Sequence, residues 1–357
     1  MRVLIVDTCY PTFLDEHYAD RPGLADAPYE RQWRALMDRF FGTCDSYSHY
    51  LEGLGHEAHE VVINCGPLQR AWANEHGVRS RKRLPLFRDD SLVLAQAEEF
   101  CPDVVYVQDL NVLGPKQLGE MRARSRLLVG QIASKAPPRR QLEQFDLLVT
   151  SFPHFVPRFR EAGIASEYLR IGFDSRVLEH VQGEAPTEGV VFVGGLARGP
   201  HAKGNELLEH AARRAPIDFW GYKVNRWPAN SAIRRRYHGE AWGLDMYRVL
   251  ARSKISLNRH IDVAEDHANN MRLYEATGVG ALLLTDAKRN LGELFEPGEE
   301  VVTYASEDEL VEKIHHYLGD GAERTRIARA GQERTLREHT YEHRMRELVD
   351  ILSRYLP

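Results

Sequence analysis

At 357 residues, 43% hydrophobic and 28% charged, the chain suits two soluble domains of about 150–180 residues each better than one. With 47 Lys+Arg against 52 Asp+Glu its formal net charge is −5, so no global basic field recruits nucleic acid. Apolar runs such as Val190–Val193 and Ala281–Leu284 are strand-length, well short of the ~20 residues of a membrane span.

The opening MRVLIVDT is a short β-type run broken by Asp7, not a signal peptide. Four scattered cysteines (Cys9, Cys44, Cys65, Cys101) include no C-x-x-C pair, which argues against a disulfide framework or a structural zinc site and for a reducing cytoplasm. Arg2–Asp7 reads as a buried strand, followed by strands over Ala58–Ile63, Asp103–Gln108, Arg126–Ile132, Asp146–Thr150 and Glu167–Ile171. Helices are expected near Ser46–Leu54 and over Asp90–Phe100 and His154–Ala162. Near-continuous apolar strands alternating with helices mean a parallel sheet covered on both faces. The residues between the first strand and the helix at Ser46 far exceed an ordinary βα loop. This insert (9–43) carries Tyr10, Phe13, Asp15, Glu16, His17, Tyr18, Tyr29 and Trp33, and reads either as a substrate-facing lid or as a surface excursion with its own small helix.

The alternation pauses over Phe173–Gly189, a polar stretch with the composition of a linker, then restarts. Strands are expected over Val190–Val193, Ile217–Trp220, Lys254–Leu257, Ala281–Leu284 and Val301–Tyr304, and helices over Asn205–Arg214, Asp245–Ala251, Asn269–Thr277 and the remainder to Pro357. The expected boundaries are 1–178 for the first domain, 187–340 for the second, and 341–357 for a terminal helix crossing back to the first.

Two motifs carry chemistry. NNMRLYEATGVGALLLTD (Asn269–Asp286) is an Asn-capped helix with Glu275 near its end, then Gly278-x-Gly280 and a buried strand. Helix-start amides favour a diphosphate, Glu275 suits two ribose hydroxyls, and Arg272 on the same face suits phosphate or Glu275 itself. The bland alternative is a solvent salt bridge and a glycine cap. GVVFVGGLARGPHAKG ends a strand in Gly194-Gly195, followed by Arg198, His201 and Lys203. Glycines there let the backbone approach a phosphate, which the basic side chains neutralise, although the spacing is neither a dinucleotide fingerprint nor a P-loop.

The stretches RLYEATGVGALLLTD, LFEPGEEVVTYASEDELVEKI and REHTYEHR, with FVGG, SLNRH, SYSHYLEGLGHE and FDLLVTSFPHFVPRFREAGI, resemble the CgeB-like (spore-maturation-type) glycosyltransferases. The resemblance is good over 190–344, looser before it, and does not cover the insert. It implies the GT-B fold, α/β with two doubly wound Rossmann-like domains facing a central cleft. The donor would lie in the second domain and the acceptor in the first. It places Gly194, Gly195, Arg198, Lys203, Asn258, His267, Asn270, Met271, Arg272 and Glu275 around a nucleoside-diphosphate sugar, UDP-sugars among them. His267 stands where the wider group often has a first glutamate, so a retaining outcome does not follow.

The implied reaction moves a sugar to an acceptor hydroxyl with no cofactor and no metal, in keeping with the absence of an Asp-x-Asp motif. The acceptor would be a sugar, a lipid-linked compound or a small molecule, in envelope polysaccharide, glycolipid or secondary-metabolite glycosylation. An inverting enzyme needs a base, for which Asp15, His17, Asp109 and His154 are candidates, with Glu16 and His49 behind them. The alternatives are a nucleotide-sugar epimerase or hydrolase on the same fold and a non-catalytic nucleotide-sugar-binding protein. Basic clusters at Arg79–Arg83 and Arg234–Arg236 read as solvated surface or as peripheral contact with anionic lipid at the inner membrane face. Tyr222, Trp227 and Trp242 beside the second cluster read as core packing rather than ligand stacking. His339-Thr340-Tyr341-Glu342-His343 has the spacing of a zinc helix, but lacks room downstream for a further ligand. His56-Glu57-Ala58-His59 reads as a turn.

Overall fold

A computed structural model describes residues 1–78, 90–181, 183, 186–197 and 202–356. The chain divides into two units: Met1–Arg170 with Arg344–Pro357, and Ile171–His343.

Unit 1 holds a six-stranded parallel sheet of β1 (Arg2–Asp7), β2 (Glu57–Val62), β3 (Val104–Val107), β4 (Leu127–Ile132), β5 (Leu147–Thr150) and β6 (Ser166–Tyr168), in the order β2-β1-β3-β4-β5-β6. The four central residues of β1 and all of β3 and β5 are buried, as continuous Val, Leu and Ile runs require in a sheet covered on both faces. Gly130 in β4 is needed for packing: a Cβ there would stand 2.7 Å from Leu110 and 2.9 Å from Phe145. The insert after β1 folds into two helices, Pro11–Ala19 and Tyr29–Met37, whose Phe13, Leu14, Leu36 and Met37 are buried. Helices Gly66–Glu75 and Pro115–Arg122 complete the crossovers; each starts with proline at its first or second position, which pre-sets φ and needs no N–H there. His56-Glu57-Ala58-His59 is not a turn, since Glu57–Val62 is the edge strand. The terminal segment buries Met345, Leu348, Ile351 and Leu352, and Glu167 on β6 accepts a hydrogen bond from Tyr355 (2.9 Å) and an ion pair from Arg354 (3.4 Å).

Unit 2 holds a five-stranded parallel sheet of β7 (Glu188–Val193), β8 (Ile217–Trp220), β9 (Ser253–Leu257), β10 (Leu282–Asp286) and β11 (Val302–Tyr304), in the order β11-β10-β9-β7-β8. Its core gathers Val190, Phe192, Ile255, Leu257, Leu282 and Leu284 from the strands and Leu208, Leu310, Ile314 and Ile327 from the helices. The stretch expected as a linker is partly built into this unit. Phe173 bridges to Thr340, and Ser175–Val177 and Leu178–Val181 are helical turns, with the Asp174 side chain capping the first.

The strand orders place a topological switch in each unit, between β1 and β3 and between β7 and β9. At such points neighbouring connections leave on opposite faces and open a crevice beyond the carboxyl ends of the strands.

Candidate functional site

The unit 2 switch point is formed by Gly194–Gly195 after β7 and Asn258–Arg259 after β9. The turn after β7 is held by Gly194 N–H donating to Trp220 O (3.0 Å) and Leu196 N–H to Tyr222 O (3.0 Å). A Cβ on Gly195 would stand 2.9 Å from the Tyr222 hydroxyl, so this turn is built for close packing. Trp227 donates to Leu196 O at 2.7 Å and is buried, while Tyr222 stacks on Trp242 at 5.7 Å; the aromatics support the turn from beneath. Arg198 and His201 lie outside the described residues, as does the side chain of Lys203.

The motif helix runs Arg272–Gly278, shorter than expected, and Asn270 caps its start by accepting from Leu273 N–H at 3.2 Å. Asn270 also donates to Asn258 Oδ1 (2.9 Å) and Arg259 O (3.2 Å), which ties the helix start to the end of β9. Asn258 in turn donates to Thr285 Oγ1 at 2.9 Å and accepts Tyr304 OH on its carbonyl at 2.9 Å. Met271 is the residue before the helix and supplies the carbonyl for Glu275 N–H. Glu275 is buried and paired with Arg272 at 2.8 Å. Burial raises its carboxyl above the ordinary range, opposed by the Arg272 charge and a Tyr247 hydrogen bond. Arg272 also donates to Val193 O at 3.2 Å, reaching back to the end of β7. Of the alternatives for Arg272, the structure shows the pairing with Glu275.

His267 faces Arg289, whose Nη2 lies 2.5 Å from its Nε2, and burial with that charge lowers its pKa. A histidine–carboxylate pair occupies the ends of β9 and β10. His260 Nδ1 lies 2.7 Å from Asp286 Oδ1, whose second oxygen lies 3.4 Å from Lys288. Burial would raise the Asp286 carboxyl, but the His260 hydrogen bond and the charges of His260 and Lys288 hold it low. His260 Nε2 is buried without a partner.

The candidate bases of unit 1 do not converge. Asp15 is on the exposed side of its helix and His49 is exposed. His17 is fully buried, neither ring nitrogen has a hydrogen-bond partner, and burial with Arg21 and Arg39 nearby pushes its pKa down to about 4. His154 is packed between Phe152 (5.3 Å) and Phe155 (4.8 Å). Of the four, Asp109 is the one at a strand-end switch, accepting from Thr8 Oγ1 at 3.1 Å and from Asn111 N–H at 3.0 Å. Beside it stands a carboxyl that reads in the sequence only as the break in the first strand. Asp7 ends β1, and burial, with Asp109 adding its charge, raises it to about 7. Its signal was legible: an acid as the last residue of a buried parallel strand. Arg259 was likewise passed over, inside SLNRH.

The remaining motifs have local roles. His339 Nε2 contacts Leu294 O (2.8 Å) while His343 Nδ1 contacts Thr340 Oγ1 (2.7 Å), so the two rings do not converge on a metal position. Arg234 and Arg235 donate to Trp227 O and Asn230 O, and Arg236 pairs with Asp218. The Arg79–Arg83 cluster lies outside the described residues. No helix among the described residues is long and apolar enough to cross a membrane.

Residues 201–350 match the family model described as glycosyl transferase-like. No curated protein sequence matches the chain. Solved structures match it end to end. HepE of Anabaena, in complex with UDP and glucose, is 15% identical with a TM-score of 0.63, covering 99% of each chain. The sucrose-phosphate synthase of Thermosynechococcus elongatus is 13% identical with a TM-score of 0.59, covering 99% of this chain and 98% of that one. AviGT4, a glycosyltransferase involved in avilamycin A biosynthesis, is 15% identical at 0.59, covering 100% and 98%. The chain therefore has the two-sheet GT-B fold of glycosyltransferases, and the fold together with the family match supports a transferase.

Proposed function

We propose that this chain transfers a sugar from a nucleoside-diphosphate donor to an acceptor hydroxyl, with unit 2 holding the donor. The observation that carries this reading is the Arg272 guanidinium, which bridges Glu275 and the Val193 carbonyl beside Gly194–Gly195 at the switch point. It brings a glycine turn, a cation and a buried carboxyl to the carboxyl edge of a parallel sheet, where nucleotides bind in doubly wound folds. Glu275 would exchange part of its pairing with Arg272 for the ribose hydroxyls. Basic side chains would neutralise the departing diphosphate without a metal. HepE, which shares the fold, was solved with UDP and glucose, which makes UDP the first nucleotide to try. Placement among the CgeB-like enzymes rests on the sequence stretches alone. On that placement the product belongs to envelope polysaccharide, glycolipid or secondary-metabolite glycosylation.

The test is a thermal-shift panel of UDP, GDP, TDP and CDP with EDTA present, on the wild type and Glu275→Ala. One nucleotide at 100 times its Kd adds roughly 2.7 kcal/mol to wild-type stability. That shift should vanish in Glu275→Ala. If all four leave the melting temperature unmoved, the nucleotide-sugar reading is wrong.

A further inference from the structure

Among the described residues, Arg259 is a cation without a counter-ion. Its guanidinium donates to Asn205 Oδ1 at 2.5 Å and Gly195 O at 3.4 Å, both neutral, and lies 5.8 Å from the Phe192 ring. Its Nε is buried and has no acceptor. Asp286 and Asp262 act on it only through space, and burial outweighs them in lowering its pKa, which for a guanidinium still leaves the charge intact. A half-buried charge in this state is costly unless an anion completes it.

The fold makes room for that side chain. Gly204 lies against it, and a Cβ there would stand 2.6 Å from Arg259 Cδ and 2.9 Å from its Nε. Asn205, the next residue, is buried and divides its amide between Gly195 O and Ala197 O while its oxygen receives Arg259. Arg272 and Arg259 contact the carbonyls of Val193 and Gly195, two residues apart on the same short segment. Arg272 is neutralised by Glu275; Arg259 is not.

We propose that Arg259 is the diphosphate-binding cation of this chain, presented from the end of β9 across the Gly194–Gly195 turn. The inference rests on the nucleotide-sugar reading and deepens it by naming a residue at the end of β9 for the diphosphate charge. A guanidinium offers a planar fork that two phosphate oxygens can accept together, whereas an ammonium offers a point charge. Because the donor's diphosphate gains charge as it departs, a fixed cation here acts on the transition state as well as on binding.

Titration calorimetry of the full chain with UDP and, separately, with inorganic pyrophosphate tests this on the wild type, Arg259→Met, Arg259→Lys and Gly204→Ala. Arg259→Met should weaken both ligands at least tenfold and flatten the salt dependence, with Arg259→Lys intermediate. Gly204→Ala improves helix propensity but pushes Arg259 aside, and should weaken both ligands with the charge count unchanged. It keeps the test decisive if Arg259→Met does not fold. Wild-type affinities in the Arg259 and Gly204 variants, with UDP bound normally, would overturn the assignment and leave the nucleotide reading standing. Pyrophosphate binding that depends on Arg259, without binding of any nucleoside diphosphate, would support the anion site and overturn the nucleotide reading. If neither ligand binds the wild type, both fall.

Discussion

Individual buried side chains divide here into those that the fold satisfies and those that it does not. Glu60 is satisfied: it accepts Ser48 N–H at 2.8 Å and the Ser48 hydroxyl. Burial nevertheless outweighs these bonds and raises its carboxyl to about 8, with Asp45 and Glu52 adding to the shift. A carboxyl whose pKa rises on folding contributes stability that is complete below its unfolded value near 4.5 and lost as pH climbs through 8. Glu60→Gln keeps the Ser48 contacts without the titration. In urea unfolding the variant should lose less stability than the wild type between pH 5 and 9, by roughly 3–5 kcal/mol, the part that comes from this group. The Asp7 carboxyl, raised to about 7, still titrates in both. His17 is the opposite case, a buried imidazole with both nitrogens unpartnered. His17→Leu should raise stability by about 1–3 kcal/mol, the cost of an unsatisfied buried polar group, and leave kcat unchanged. A large loss of kcat would restore His17 as a catalytic candidate.

Elements of unit 2 meet through positions where no side chain fits. Gly221 has φ +146, a conformation that L side chains rarely adopt, and a Cβ would run into the Gly194 carbonyl oxygen. Gly221→Ala should therefore displace the turn after β7, lowering the melting temperature and abolishing the nucleotide-induced shift together. Where helix Arg272–Gly278 packs on helix Gly321–Glu338, Thr277 and Thr335 share a buried hydroxyl contact of 2.6 Å. Thr335→Val removes one hydroxyl while Thr277 keeps its bond to Leu273 O at 2.6 Å, so it should cost about 0.5–1.5 kcal/mol. For a unit of this size that is a fall of roughly 1–6 °C, without loss of nucleotide affinity. An affinity loss there would mean that the donor site is sensitive to the packing of the helix behind Glu275.

For the whole molecule, the chain leaves unit 1 after Arg170 and rejoins it at Arg344. Truncation after His343 removes four buried apolar side chains and two partners of Glu167, leaving it Arg160 at 3.3 Å. Each such side chain is worth about 1.5–3 kcal/mol on burial. Hydrogen exchange of the truncated chain should therefore show lost protection across the unit 1 sheet, with the unit 2 strands near wild type. Equal loss in both would show that the units do not unfold separately.

Strand identity was legible because local pattern sets it: RVLIVD and IDFW form strands over the very residues whose apolar runs announce them, and DSLVLAQAEEF is the Asp90–Phe100 helix. The same pattern implied the parallel sheets and the strand-end location of the donor motif. It misplaced the start of the motif helix, because a cap depends on which asparagine reaches Leu273 N–H. It offered one small helix in the insert, and only as an alternative, where there are two, because their buried faces alternate with exposed charge over too few turns to register. The candidate bases scattered for a related reason: residue type marks an acid or an imidazole, but only packing decides that His17 and His154 are enclosed while Asp7 stands at a strand end. Sequence alone determined the α/β fold class and one face of the candidate site, since both follow from periodicity and glycine placement along the chain. Tertiary structure alone decided the surroundings of Arg259. The Arg272–Glu275 pair lies within one helical turn and could be read along the chain. The groups that Arg259 meets, Gly195 and Asn205, come from other elements more than fifty positions away and, among the described residues, include no carboxylate.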